Sequence, residues 1–253
     1  MPVFALGEEC VFPDPRLSRA DGLIAVGGDL NTERLLCAYR QGIFPWYGPT
    51  EPILWWSPDP RMLLFPDRIH ISRRLGRILR QGRFTFSMDR AFSRVIRLCA
   101  ELRERLGHGT WLTPEMITAY EELHRQGYAH SVETWAGGEL AGGLYGVSLG
   151  RCFFGESMFH LVPDASKAAL AALAGQLTQW DFDFIDCQMV TGHLLRMGAT
   201  PVSRRQFLRL LENALTRPDR RGSWEFSPEA ACGPVRPAGH LAPPETDRAH
   251  TNR

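Results

Sequence analysis

The chain has 253 residues, 44% hydrophobic and 23% charged, a globular balance able to bury one large core or two smaller ones. Its net charge is +1, so no global field draws it to nucleic acid, and any RNA contact needs a local basic patch. No apolar run is long enough to span a bilayer, the start Met1-Pro2-Val3-Phe4 lacks a signal-peptide pattern, and no C-x-x-C pair occurs.

From Met1 to about Pro60 the chain is rich in Gly, Pro and Trp. The apolar run Leu23-Ile24-Ala25-Val26 stops at Gly27-Gly28, and Asn31 predicts the cap of a helix closed by Gly42. The clusters Ile43-Phe44-Pro45-Trp46-Tyr47 and Leu54-Trp55-Trp56-Ser57-Pro58-Asp59-Pro60-Arg61 read as fixed loops. Residues 1–61 are expected to form a small N-terminal domain.

Regular elements follow. Ser72 predicts a helix carrying Arg73, Arg74, Leu75, Arg77, Ile78, Leu79 and Arg80, and Ala91 to Arg105 predicts another. Thr113-Pro114 starts a third, with the hydroxyl at N-cap and the proline at N1. Met116, Ile117, Tyr120 and Leu123 mark its buried face, and Gly127 ends it. Three strands are expected at His130–Trp135, Leu140–Val147 and Arg151–Glu156, turned by Gly137-Gly138 and Gly150. A helix Ala165–Gln179 with Asp164 as N-cap, a strand Phe182–Gln188, and helices near His193–Met197 and Arg204–Leu215 complete the pattern. The order implies an α+β fold, with a mixed sheet flanked by helices over residues 62–216. The stretch Arg217–Arg253, rich in Pro, Arg, Gly and Ala, predicts a disordered tail.

Six scattered cysteines, Cys10, Cys37, Cys99, Cys152, Cys187 and Cys232, read as reduced thiols of a cytoplasmic protein. Cys187 is expected to be a small buried hydrophobe. On the strand Phe182–Gln188, Phe182, Phe184, Asp186 and Gln188 share a face if the strand is unbroken. On spacing alone, the plainer reading of Asp186 and Gln188 is a pair capping neighbouring loops. Glu156 also interrupts an apolar strand, with Phe154 and Met158 at the same parity. It is either paired with an arginine or poised for a cationic ligand. Trp46, Trp55, Trp56 and Trp111 stand in loop-like contexts, where an indole can stack a nucleobase or pin a core. Arg73, Arg74, Arg77 and Arg80 form a basic stripe opposite Leu75, Ile78 and Leu79. This is a solvated surface helix or, since the helix holds no acid, a phosphate grip. There is no G-x-x-x-x-G-K-[ST] loop, no G-x-S-x-G elbow and no His/Cys metal spacing. Neither metal nor cofactor is expected.

Several blocks in order resemble the leucyl/phenylalanyl-tRNA–protein transferase family. They are Gly22-Leu23-Ile24-Ala25-Val26-Gly27-Gly28-Asp29-Leu30, Gly42-Ile43-Phe44-Pro45-Trp46, Ile53-Leu54-Trp55-Trp56-Ser57-Pro58-Asp59-Pro60-Arg61 and Gly109-Thr110-Trp111. Further along come His130-Ser131-Val132-Glu133, Gly142-Gly143-Leu144-Tyr145-Gly146-Val147, Gly155-Glu156-Ser157-Met158-Phe159, Ala165-Ser166-Lys167 and Ile185-Asp186-Cys187-Gln188. The blocks cover roughly Phe12 to Leu215 and leave the tail outside.

The resemblance implies an acetyltransferase-like (GNAT-like) core for residues 62–216. An acyl-CoA enzyme of that core carries a [QR]-x-x-G-x-[GA] loop; Arg73-Arg74-Leu75-Gly76 begins one, but Arg77-Ile78 does not complete it. The resemblance also implies that Leu or Phe moves from aminoacyl-tRNA to proteins or peptides beginning with Arg or Lys, by a monomeric enzyme. By it, Trp46 and Trp111 would hold the terminal adenosine. Leu144, Leu173, Leu177 and Ile185 would line the side-chain pocket, bordered by Glu156. Asp186 and Gln188 would sit at the reacting ester, and the arginine helix would grip the acceptor stem. A CoA-dependent N-acyltransferase and a non-catalytic RNA-binding module are the competing readings.

Overall fold

The computed structural model describes residues 2–105, 107 and 110–227. Gly109, Cys232 and the tail beyond Ser227 lie outside them. The chain begins with β1 (Phe4–Leu6), β2 (Leu23–Gly27), α1 (Thr32–Arg40), β3 (Phe44–Pro45) and β4 (Leu54–Trp56). These strands form a four-stranded sheet in the order β1-β2-β4-β3. Trp55 and Trp56 are therefore strand residues, not loop residues, and Trp55 is fully buried.

Next come β5 (Arg61–Leu64), α2 (Arg73–Arg80), β6 (Thr85–Met88), α3 (Phe92–Arg105) and α4 (Pro114–Arg125). Then follow β7 (Ala129–Ala136), β8 (Glu139–Leu149), β9 (Cys152–His160), α5 (Ala165–Gln179), β10 (Phe184–Asp186), α6 (Gly192–Arg196), β11 (Thr200–Val202) and α7 (Arg204–Ala214). The second sheet has seven strands in the order β11-β5-β10-β9-β8-β7-β6. Only β9 and β10 pair in parallel, so the sheet is mixed as expected.

Local chemistry sets most helix starts. The side chains of Asn31, Ser72 and Thr113 each accept the backbone N–H three residues on, at 2.8, 3.2 and 3.2 Å. Asp164 differs. It precedes α5 with φ of 70° and makes no capping hydrogen bond; its carboxylate is held by Lys167 at 2.8 Å and Arg74 at 2.9 Å.

One face of the large sheet packs on α3 and α4 and is continuous with the core of the first sheet. The other packs on α2 and α5. Residues 217–227 correct the expectation of a tail starting at Arg217. Trp224 is 2% exposed and stacks on His130 at 3.8 Å, and its backbone N–H donates to Asp89 at 2.7 Å. The apolar area of Trp224 and Phe226 offsets the entropy of ordering this segment.

Candidate active site

A cavity of about 540 Å³ opens where β9 and β10 part. The two strands pair only over Cys152–Phe154 and Phe184–Asp186. Beyond that point β9 continues against β8 alone. Gly155, Glu156, Ser157 and Met158 on one side and Cys187, Gln188 and Met189 on the other line the gap.

Of the expected pocket residues, Leu144, Glu156, Leu173 and Ile185 are on the cavity wall. Leu177 is not. It lies a turn further along α5, fully buried in the core, and Leu170, a turn earlier, takes the wall position instead. Phe153 and Met158 add to the apolar lining. The cavity is thus mostly aliphatic and aromatic, with few polar groups, as suits an apolar side chain.

Asp186 departs from expectation. The strand ends at Asp186, so it does not carry Gln188 on the same face. Ile185 faces the cavity, while Asp186 points to the opposite side of the sheet. There its carboxylate receives Arg61 Nε at 2.8 Å and Nη2 at 2.6 Å, with both side chains fully buried. The Arg61 guanidinium lies between the rings of Phe44 and Phe207, 4.7 and 4.5 Å from their centroids. Asp186 Oδ1 also accepts the Gln188 backbone N–H at 2.9 Å. Gln188 has φ of 60°, a conformation that costs a non-glycine residue free energy and is held here by its surroundings. That turn brings its side chain to the cavity wall.

Glu156 has the opposite setting. β9 pairs as Gly155↔Gly146 and then Ser157↔Tyr145, so Glu156 is the extra residue of a β-bulge. A Cβ at Gly146 would fall 2.1 Å from the Phe154 carbonyl oxygen, so the bulge requires glycine there. The bulge reverses the alternation: Phe154 packs on the α3 side and Met158 on the α5 side. The expectation of a face shared by Phe154, Glu156 and Met158 is corrected accordingly.

No arginine pairs with Glu156 among the described residues. Its oxygens accept Tyr39 Oη at 2.7 Å, Tyr120 Oη at 3.0 Å and Gln188 Nε2 at 2.9 Å. Tyr39 and Tyr120 also meet hydroxyl to hydroxyl. Three oxygen contacts thus join Tyr39, Tyr120 and Glu156, while two hydroxyls supply two protons. A proton on Glu156 closes the ring. Burial, with Asp186 adding to it, pushes the Glu156 pKa up to about 7 against the tyrosine hydrogen bonds.

At the mouth, Trp46 is 39% exposed. It meets Trp111 edge-on, with centroids 6.3 Å apart and planes at 79°. A base stacked on one indole would therefore meet the edge of the other. On α2, Arg73, Arg74, Arg77 and Arg80 are exposed. Arg74 is drawn to Asp164, so the stripe is not wholly without acid. Burial pushes the Cys187 thiol up, which makes it a poor nucleophile.

Sequence reading missed Arg61, Tyr39 and Tyr120 as parts of this site. A tyrosine at the buried position of an amphipathic helix was the available signal, because a buried hydroxyl needs a partner.

The sequence matches the leucyl/phenylalanyl-tRNA protein transferase family over residues 63–212 and that family's N-terminal domain over residues 28–59. A leucyl/phenylalanyl-tRNA–protein transferase from Desulfatibacillum aliphaticivorans is 58% identical over 229 residues, covering 90% of this chain and 98% of its own. One from Syntrophobacter fumaroxidans (strain DSM 10017 / MPOB) is 57% identical over 233 residues, 92% of this chain and 99% of its own. Among solved structures, an aminoglycoside acetyltransferase from an uncultured soil metagenomic sample aligns at a TM-score of 0.37 and 12% identity. It covers 47% of this chain and 86% of its own. The chain belongs to the leucyl/phenylalanyl-tRNA–protein transferase family.

Proposed function

We propose that the protein is a cytoplasmic, monomeric aminoacyltransferase that moves leucine or phenylalanine from aminoacyl-tRNA to the N-terminal Arg or Lys of proteins and peptides. The observation that carries this reading is the cavity between the parted strands, apolar in its depth and with Glu156 and Gln188 joined across the gap. An aliphatic or aromatic donor side chain would fill the depth beside Leu144, Leu173 and Ile185. The ester would lie at Gln188.

The reaction is aminolysis of an activated ester, so positioning supplies much of the rate. The α-amine nitrogen attacks the carbonyl carbon and the C–N bond forms. The bond from that carbon to the ribose oxygen breaks, and the amine proton passes to the released ribose oxygen. Gln188 is no base, since an amide has no useful proton affinity near neutral pH. Its Nε2 is engaged by Glu156, which leaves its Oε1 to accept a hydrogen bond from the amine and orient it. Asp186 acts at one remove, because Arg61 neutralises it and it does not line the cavity. It positions Gln188 through the backbone N–H. Exposed arginines of α2 would grip acceptor-stem phosphates.

The test is transfer of labelled leucine from leucyl-tRNA to a peptide beginning with Arg. Product is expected with Arg or Lys first and not with an acetylated N-terminus. No product from leucyl- or phenylalanyl-tRNA would refute the reading. Transfer from an acyl-CoA instead would favour the coenzyme A alternative.

A further inference from the structure

Arg103 on α3 reaches the rim of the same cavity. Its Cζ lies 4.0 Å from the centre of the Trp111 ring, which holds the guanidinium in one plane at the mouth. Its Nε is buried without a hydrogen-bond partner among the described residues. Cys99 and Tyr145, both uncharged when protonated, are the titratable groups felt beside it, and burial lowers its pKa. The guanidinium is half out of water with no carboxylate paired to it among the described residues, a setting that an arriving anion would stabilise. The other titratable groups on the wall cannot serve as that anion's anchor: Glu156, Tyr145 and Cys187 never carry positive charge, and burial disfavours the charged form of His193.

We infer that Arg103 binds the phosphate that joins the donor's terminal adenosine to the preceding nucleotide. The inference rests on the aminoacyl-tRNA reading above. With the aminoacyl group in the cavity and the adenosine against Trp111, the 5′-phosphate of that adenosine is the first anion outside the cavity. The planar guanidinium matches phosphate with paired N–H donors. Trp111 then has two tasks: it offers the base an aromatic surface, and it fixes the plane of the arginine that holds the phosphate.

The experiment compares two minimal donors, 3′-O-leucyl-adenosine and the same compound carrying a 5′-phosphate, with leucyl-tRNA as a third arm and an Arg-initiated peptide as acceptor. In the wild-type protein the phosphate is expected to lower KM by about tenfold, the scale of one charged hydrogen bond. Arg103→Met is expected to bring the ratio of the two KM values near one, and Arg103→Lys to keep part of it. An unchanged ratio in Arg103→Met overturns the inference. So does an equal rise in both KM values with the ratio preserved, which would mean that Arg103 only props Trp111. Transfer from leucyl-tRNA with no phosphate advantage in the wild type overturns it while leaving the aminoacyltransferase reading intact. No transfer from any of the three donors refutes that reading, and the inference with it.

Discussion

Asp186 and Glu156 look alike in the sequence, each a carboxylate interrupting an apolar strand, yet the fold treats them in opposite ways. Asp186 meets a guanidinium brought from 125 positions away and becomes half of a closed ion pair. Glu156, on the strand beside it, receives only neutral donors from Tyr39, Tyr120 and Gln188. Gln188 touches both, through its backbone to the first and its side chain to the second. One carboxylate fixes the backbone of the site; the other sets its charge near neutral pH. The difference comes from which distant side chain arrives, not from the strand itself.

The sharpest way to break the comparison is to remove Arg61. Arg61→Met leaves Asp186 charged and buried, and is expected to cost about 3–5 kcal/mol in urea unfolding. Arg61→Met/Asp186→Leu is expected to regain most of that, since apolar replacement of a buried pair is often neutral. If the single variant is as stable as wild type, the pair has no structural weight.

Glu156→Gln sharpens the comparison from the other side. An acid whose pKa is raised on folding binds its proton more tightly in the folded state. Stability is therefore full below the unfolded value, about 4.3, and falls as pH rises to about 7. The loss is on the order of 3 kcal/mol. Burial of the neutral amide carries no such slope. Urea unfolding at steps across this window should show the wild type losing stability relative to Glu156→Gln; parallel curves would mean that Glu156 is an ordinary carboxylate.

The smallest effect concerns the same contrast on the surface. Arg74 already has Asp164, whereas no acid pairs with Arg73, Arg77 or Arg80 among the described residues. Arg77→Gln should reduce the salt slope of tRNA binding by about one, and Arg74→Gln by less. Equal slopes for both variants and wild type would remove α2 from the interface.

Helices were legible because their signals are local. The caps at Asn31, Ser72 and Thr113 and the buried stripe of Met116, Ile117, Tyr120 and Leu123 are all found. The resemblance supplied the residues that gather at the cavity, and Leu144, Glu156, Leu173, Ile185 and Gln188 do line it. The rest depends on pairing between distant segments. Nothing in Phe182–Gln188 says that the strand stops at Asp186 or that Gln188 takes a positive φ. The bulge at Glu156 exists only relative to β8. Leu177, implied by the resemblance alone, is buried away from the wall that Leu170 and Leu173 line, because a resemblance between sequences does not fix the depth at which a cavity ends.

The setting of Glu156, a buried carboxylate without a cationic partner among the described residues, is most directly tested by following side-chain carboxyl carbons by NMR in a Glu-labelled chain, with Glu156→Gln for assignment. One glutamate signal, absent in Glu156→Gln, is predicted to titrate with a midpoint of about 7. A Glu156 midpoint near 4.3, the ordinary value, would contradict the account.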